Sequence, residues 1–140
     1  MDERRMLNDL RVLDFTRVVA GPAATRMLSD LGASVIKIDQ IPTSLKTPVR
    51  SAGGVANNVG KRSIAIDLKT EEGIEIVKTI AREVDVVVEN FLPGVMKSLG
   101  LDYGRLKEIN PGMIYASISG FGQTGSQSYR RAYGSTAHAE

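Results

Sequence analysis

The chain contains no cysteine, no tryptophan and a single histidine, and its aromatic residues amount to only 5%. Without cysteine it can form neither a disulfide framework nor a thiolate metal site, which fits a reducing compartment. His138 is its one imidazole, so no histidine-based metal cluster can be built from this chain, and no metal is expected in its site. An excess of charge of one sign is missing too, since 18 Lys and Arg stand against 16 Asp and Glu, a formal +2 over 140 residues. The basic residues alternate with acidic ones instead of gathering on one face among aromatics, so nucleic acid is not an expected partner. No segment approaches the ~18 unbroken apolar residues that a membrane-spanning helix needs. Met1 to Asn8 carries Asp2, Glu3, Arg4 and Arg5 where a secretory signal has its apolar centre. These absences lead to the expectation of a cytoplasmic protein with no membrane partner.

What is present is the composition of an ordinary globular domain, 42% apolar and 24% charged. From Leu10 onward, short β-branched runs alternate with amphipathic segments closed by glycine, which predicts an α/β architecture with a parallel sheet. Arg11 to Thr16 reads as a first strand. Pro22 reads as the opening of a helix that turns Ala23, Met27 and Leu31 inward and stops at Gly32. Ala33 to Asp39 is the second strand. Gln40 to Lys61, with two prolines, a Gly-Gly pair and an Asn-Asn pair, reads as a long irregular loop. Arg62 to Leu68 alternates as a strand, and Thr70 is placed to cap a helix with Glu71 and Glu72 in its first turn and Ile74, Val77, Ile80, Ala81 and Val84 inward. The consecutive valines of Asp85 to Asn90 predict a buried parallel strand. A short helix opened by Pro93, another from Tyr103 to Ile109, and a strand from Met113 to Ser119 complete the pattern.

Ligands of open α/β sheets bind beyond the carboxyl ends of the strands, and several small or polar segments fall there: Val18 to Pro22, Asp39-Gln40, Asp67 to Lys69 and Glu89 to Pro93. Asn90 beside Phe91 suits hydrogen bonding and stacking of a nucleobase; equally, Asn90 could cap the helix opened by Pro93 while Phe91 packs inside. Gly120 to Gly125 matches G-x-G-x-x-G but follows the last strand instead of the first, so a plain glycine turn and a ligand lid remain equal readings. Gly60-Lys61 lacks the upstream glycine of a P-loop, and Arg62 stands where Ser or Thr is required, which removes that reading. Lys61 and Arg62 are then either solvated charges at the start of a strand or cations for an anionic ligand. No nucleophile and base can be paired, because His138 has no identifiable Ser or Asp partner. Asp14, Asp67 and Asp85 are each a usable carboxylate or a satisfied group at a strand terminus.

Five segments taken together, Leu10 to Pro22, Leu31 to Ile38, Lys61 to Lys69, Val88 to Gly94 and Ile109 to Gly125, resemble in order and spacing the successive motifs of CaiB/BaiF (class III, formyl-CoA transferase-like) coenzyme A transferases. The resemblance covers nearly all of the chain from Leu10. It implies a Rossmann-like open parallel sheet with helices on both faces. Residues 1–9 would be a lead-in and 10–140 a CoA-binding domain, incomplete relative to the family because the small domain is absent. It further implies a homodimer of interlocked subunits acting on acyl-CoA and a carboxylic acid acceptor through an aspartyl-CoA intermediate, with the nucleophilic aspartate beyond Glu140. Carried over position by position, the CoA contacts would be Val19 and Ala20; Ile66, Asp67, Leu68 and Lys69; Asn90, Phe91 and Leu92; and Arg131, Ala132 and Tyr133. Lys69 and Arg131 would neutralise phosphates, and Ala20-Gly21 would let backbone approach the thioester end. Formyl-CoA transferases place arginines where Gln40 and Ser98 stand, a glutamine at Val19 and a glutamate at Gly134, which points away from oxalate and formate. Racemase relatives carry a histidine where Tyr133 stands. That difference points away from a racemase, although His138 stands nearby, and the alternatives are a 2-methylacyl-CoA racemase-like enzyme or a noncatalytic CoA-binding module.

Overall fold

The computed structural model describes residues 5–41 and 56–132. Its elements are β1 (Arg11–Asp14), α1 (Ala20–Asp30), β2 (Ser34–Gln40), β3 (Arg62–Ile66), α2 (Glu71–Ala81), β4 (Val86–Glu89), α3 (Val95–Ser98), α4 (Tyr103–Ile109) and β5 (Ile114–Ser117). The five strands form one sheet in the order β3-β2-β1-β4-β5, and every pairing is parallel. Most of the expected long loop from Gln40 to Lys61 lies outside the described residues.

Side chains alternate across β1. Val12 joins Ala33, Val35, Val86 and Val88 under Leu28 of α1, while Leu13 and Phe15 point to the opposite face. That second face carries the larger core, where Val77 and Ala81 of α2, Met96 of α3 and Leu106 of α4 close over Leu13, Ile38, Ile66 and Val87. Helices thus cover both faces, as a parallel sheet requires, and the valine run of β4 is buried throughout.

α2 begins as its sequence predicts. Thr70 Oγ1 accepts from the Gly73 N–H at 3.1 Å, and Glu71 and Glu72 occupy the first turn. Thr70→Ala is expected to lose about 1 kcal/mol of stability, read as a lower urea midpoint with an unchanged m-value.

α1 departs from its predicted orientation. It starts at Ala20, ahead of Pro22, and its buried residues are Gly21, Pro22, Thr25 and Ser29. Met27 and Leu31, expected to face inward, are 66% and 44% exposed. The reason lies beneath the helix, where Asp14 needs a hydroxyl from Thr25 and the Thr16 side chain needs a neighbour without a Cβ. A Cβ on Gly21 would come within 2.4 Å of Thr16 Cβ. Hydrogen bonding and close approach decide the buried face here, against apolar periodicity.

Candidate functional site

Because all five strands are parallel, their carboxyl ends share one edge. The chain leaves β1 toward β2 and leaves β4 toward β5, so the strand order reverses between β1 and β4. The crevice at such a reversal is where open α/β sheets take ligands.

The turn from β1 into α1 borders this crevice. Arg17, Val18, Val19 and Ala20 are all exposed, and Val18 is held at φ 69°, a left-handed conformation that a β-branched residue rarely adopts. Across the gap from β4, Asn90 Oδ1 accepts from the Arg17 N–H at 2.8 Å and Asn90 Nδ2 donates to the Arg17 carbonyl at 2.8 Å. The Arg17 guanidinium lies 5.0 Å from the centroid of the Phe91 ring. Asn90 therefore does not cap the helix after Pro93, whose N-cap is Gly94 with no side-chain hydrogen bond. Glu89, buried at the end of β4, accepts from the Phe91 N–H at 2.8 Å and fixes the direction in which the chain leaves the sheet.

Under the turn sits a buried polar cluster that pattern reading did not find. Asp14 Oδ1 accepts the Thr16 N–H at 2.8 Å and the Thr16 hydroxyl. Its Oδ2 accepts the Thr25 hydroxyl at 2.7 Å and pairs with Lys61 Nζ at 2.9 Å. Lys61 also donates to the Pro22 carbonyl at 2.9 Å and to Thr25 Oγ1 at 2.7 Å. Lys37, likewise buried, donates to the Thr16 carbonyl at 2.7 Å. The Lys61 side chain is 1% exposed, so it is neither a solvated charge nor a cation offered to a ligand. Burial pulls its pKa below the ordinary 10.5, and Lys37 and Arg26 act in the same direction, while the hydrogen bond and charge of Asp14 oppose the shift. Arg62 donates to Ser34 Oγ at 2.8 Å. The sequence signal available for the cluster was the face of β1 that runs Val12, Asp14, Thr16, with two polar residues where an apolar alternation should continue.

The predicted contacts distribute along this same edge. Val19 and Ala20 stand at β1, and Asn90, Phe91 and Leu92 at β4. Ile66 closes β3 and Asp67 to Lys69 follow it, two strands or about 10 Å from β1. Ile66 and Leu68 bury their side chains in the core, which leaves their main chain and the exposed Lys69 facing outward. Asp67 Oδ1 accepts from the Lys69 N–H at 2.9 Å, and Asp85 Oδ2 accepts from the Arg11 N–H at 2.7 Å, so both serve as local structural carboxylates. Beyond β5, Ala132 lies against Gly120, where an added Cβ would meet Ala132 Cβ at 2.0 Å. Arg131 beside it is exposed. Gly122 and Gly125 adopt φ 79° and 92°, left-handed conformations that favour glycine. Tyr133, Gly134 and His138 lie outside the described residues.

The family model for CoA-transferase family III matches residues 7–140. The chain belongs to CoA-transferase family III. It is 41% identical to a mouse succinyl-CoA:glutarate CoA-transferase over 99% of this chain and 34% of that protein. It is 45% identical to a succinate–glutarate CoA-transferase of Agrobacterium fabrum over 85% of this chain and 33% of the relative. The crystal structure of a CaiB/BaiF family protein from Brucella suis superposes with a TM-score of 0.79 at 42% identity, over 92% of this chain and 37% of that one. The family III chain described here spans about a third of the length of the curated relatives it matches. Among its described residues, no helix is long and apolar enough to cross a membrane.

Proposed function

We propose that this chain supplies much of the CoA-binding site of a family III enzyme that moves coenzyme A between carboxylic acids. The observation that supports the reading is that Val19 and Ala20, Ile66 to Lys69, and Asn90 to Leu92 fall at or just past the carboxyl ends of β1, β3 and β4 in one parallel sheet, on both sides of the β1/β4 reversal. Phe91 and the exposed Val19 and Leu92 offer apolar surface, and Lys69 and Arg131 offer cations for phosphates. The contact set is Val19, Ala20, Ile66 to Lys69, Asn90 to Leu92, and Arg131 to Tyr133, with Ile66, Leu68 and Asn90 acting through their main chain.

In the reaction this proposal implies, an aspartate carboxylate attacks the acyl-CoA thioester and releases CoA thiolate, leaving a mixed anhydride. The thiolate attacks the aspartyl carbonyl of that anhydride and frees the first acid. The acceptor carboxylate then takes its place by the reverse sequence. The residues described here have the part of binding and orienting CoA in that sequence, and none of them is assigned a covalent step. The working unit is a cytoplasmic homodimer. The relatives named for succinyl-CoA and glutarate make short dicarboxylates the first acids to test.

The experiment supplies the full-length protein with succinyl-CoA and glutarate and follows glutaryl-CoA, with racemisation of a 2-methylacyl-CoA measured in parallel. Acyl exchange without racemisation is expected. Racemisation without exchange would overturn the proposal in favour of a racemase, and CoA binding with neither activity would leave a binding module.

A further inference from the structure

The turn after β1 is held in place by a side chain from just past the end of β4. The β1/β4 ladder ends in register at Asp14 and Val88, and the Phe15 N–H continues it to the Val88 carbonyl at 2.9 Å. The next bond along, from the Arg17 N–H, goes to the Asn90 side chain instead of its carbonyl, and the same amide returns a hydrogen bond to the Arg17 carbonyl, both at 2.8 Å. An amide offers one donor side and one acceptor side in a plane, so it can satisfy both main-chain groups of one residue at once. Immediately after this clamp comes Val18 at φ 69°, the only non-glycine residue with positive φ among the described residues. Such a conformation persists only where its surroundings enforce it, and it concentrates at ligand-binding turns. Just beyond, α1 starts with no side-chain cap, so the position of its first amides depends on this turn.

We propose that Asn90 is a positioning residue. Its side chain locks Arg17 and thereby holds Val18 in the strained turn that shapes the β1 side of the crevice, instead of spending its amide on the ligand. The ligand consequence rests on the reading of this edge as a CoA site, whereas the coupling between Asn90 and Val18 does not.

The test is a double-mutant cycle in the full chain with Asn90→Ala and Val18→Gly, read by thermal midpoint without ligand and by calorimetric affinity for CoA. Glycine accepts a positive φ without strain, so Val18→Gly is expected to raise the midpoint by a few degrees in the wild-type background. It should do so by clearly less once Asn90→Ala has let the turn relax. Asn90→Ala is expected to weaken CoA binding about tenfold, the scale of releasing one strained residue, and adding Val18→Gly should recover part of that loss. Purely additive midpoints overturn the clamp. An affinity loss that Val18→Gly leaves untouched overturns it too, because it assigns the amide to the ligand. If the alanine variant does not fold, Asn90→Asp, which sets an acceptor against the Arg17 carbonyl, takes its place under the same criteria. Wild-type protein that does not bind CoA would refute the functional reading, and the midpoint coupling would still decide the role of Asn90.

Discussion

Asp14→Ala is expected to destabilise the protein by about 3–5 kcal/mol, the range for removing one partner of a buried ion pair. The substitution leaves the Lys61 ammonium, whose side chain is 1% exposed, with no carboxylate at 2.9 Å and with Lys37 nearby. It also removes the acceptor of the Thr16 N–H and hydroxyl, so buried donors lose their partner together with the charge, while the Thr25 hydroxyl keeps the Gly21 carbonyl at 3.1 Å. Replacing both charged partners, Asp14→Ala with Lys61→Met, should recover a large part of the loss, since most of the penalty is the stranded charge and not the worth of the pair. Urea denaturation of the two variants against wild type checks this. A loss below about 1 kcal/mol for Asp14→Ala, a value ordinary for exposed pairs, would show that the cluster is not sealed from water.

Phe15→Ala is expected to cost about 3–5 kcal/mol as well, by a different route. Phe15 is the largest of the fully buried side chains among the described residues, at 1% exposure, and it packs in the main core with Leu13, Ile38 and Val87. Removing its ring leaves a cavity between the sheet and the helices that cover this face, which the packed neighbours fill only in part. The two substitutions lie on adjacent residues but on opposite faces of the sheet, so one probes polar satisfaction and the other packing. Denaturant midpoints should fall in both cases with m-values kept. A Phe15→Ala loss within the range of a surface change, about 0.5 kcal/mol, would mean that the core is not closed around this ring.

The inner strands of this fold were legible because burial on both faces of a parallel sheet writes itself as β-branched runs. Val86 to Val88 and Val35 to Ile38 announce their strands without any tertiary information. The start of α2 was legible because Thr70 caps it through a local hydrogen bond to Gly73. The inward face of α1 was not legible. Its period places Ala23, Met27 and Leu31 on one stripe, yet the face that turns inward is chosen by Asp14, which requires Thr25, and by Thr16, which requires Gly21.

The candidate site follows the same division. The carboxyl edge could be read from the strand ends, and the family resemblance is the source of the residues proposed to meet CoA there. What local pattern could not supply was strand order, and with it the pairings across 73 residues between Arg17 and Asn90 and across 47 residues between Asp14 and Lys61. Those pairings turn two residues that look available for a ligand, Asn90 and Lys61, into parts that hold the site's framework. Ile66 and Leu68, also expected at the ligand, bury their side chains in the core.

The most direct measurement is an amide chemical-shift titration of isotopically labelled protein with coenzyme A. Saturable shifts concentrated at Arg17 to Ala20, Asp67 to Lys69 and Asn90 to Leu92 are the expected result. Amides unmoved at saturating coenzyme A, or movement centred on the opposite edge around Arg11, Ser34 and Val86, would contradict it.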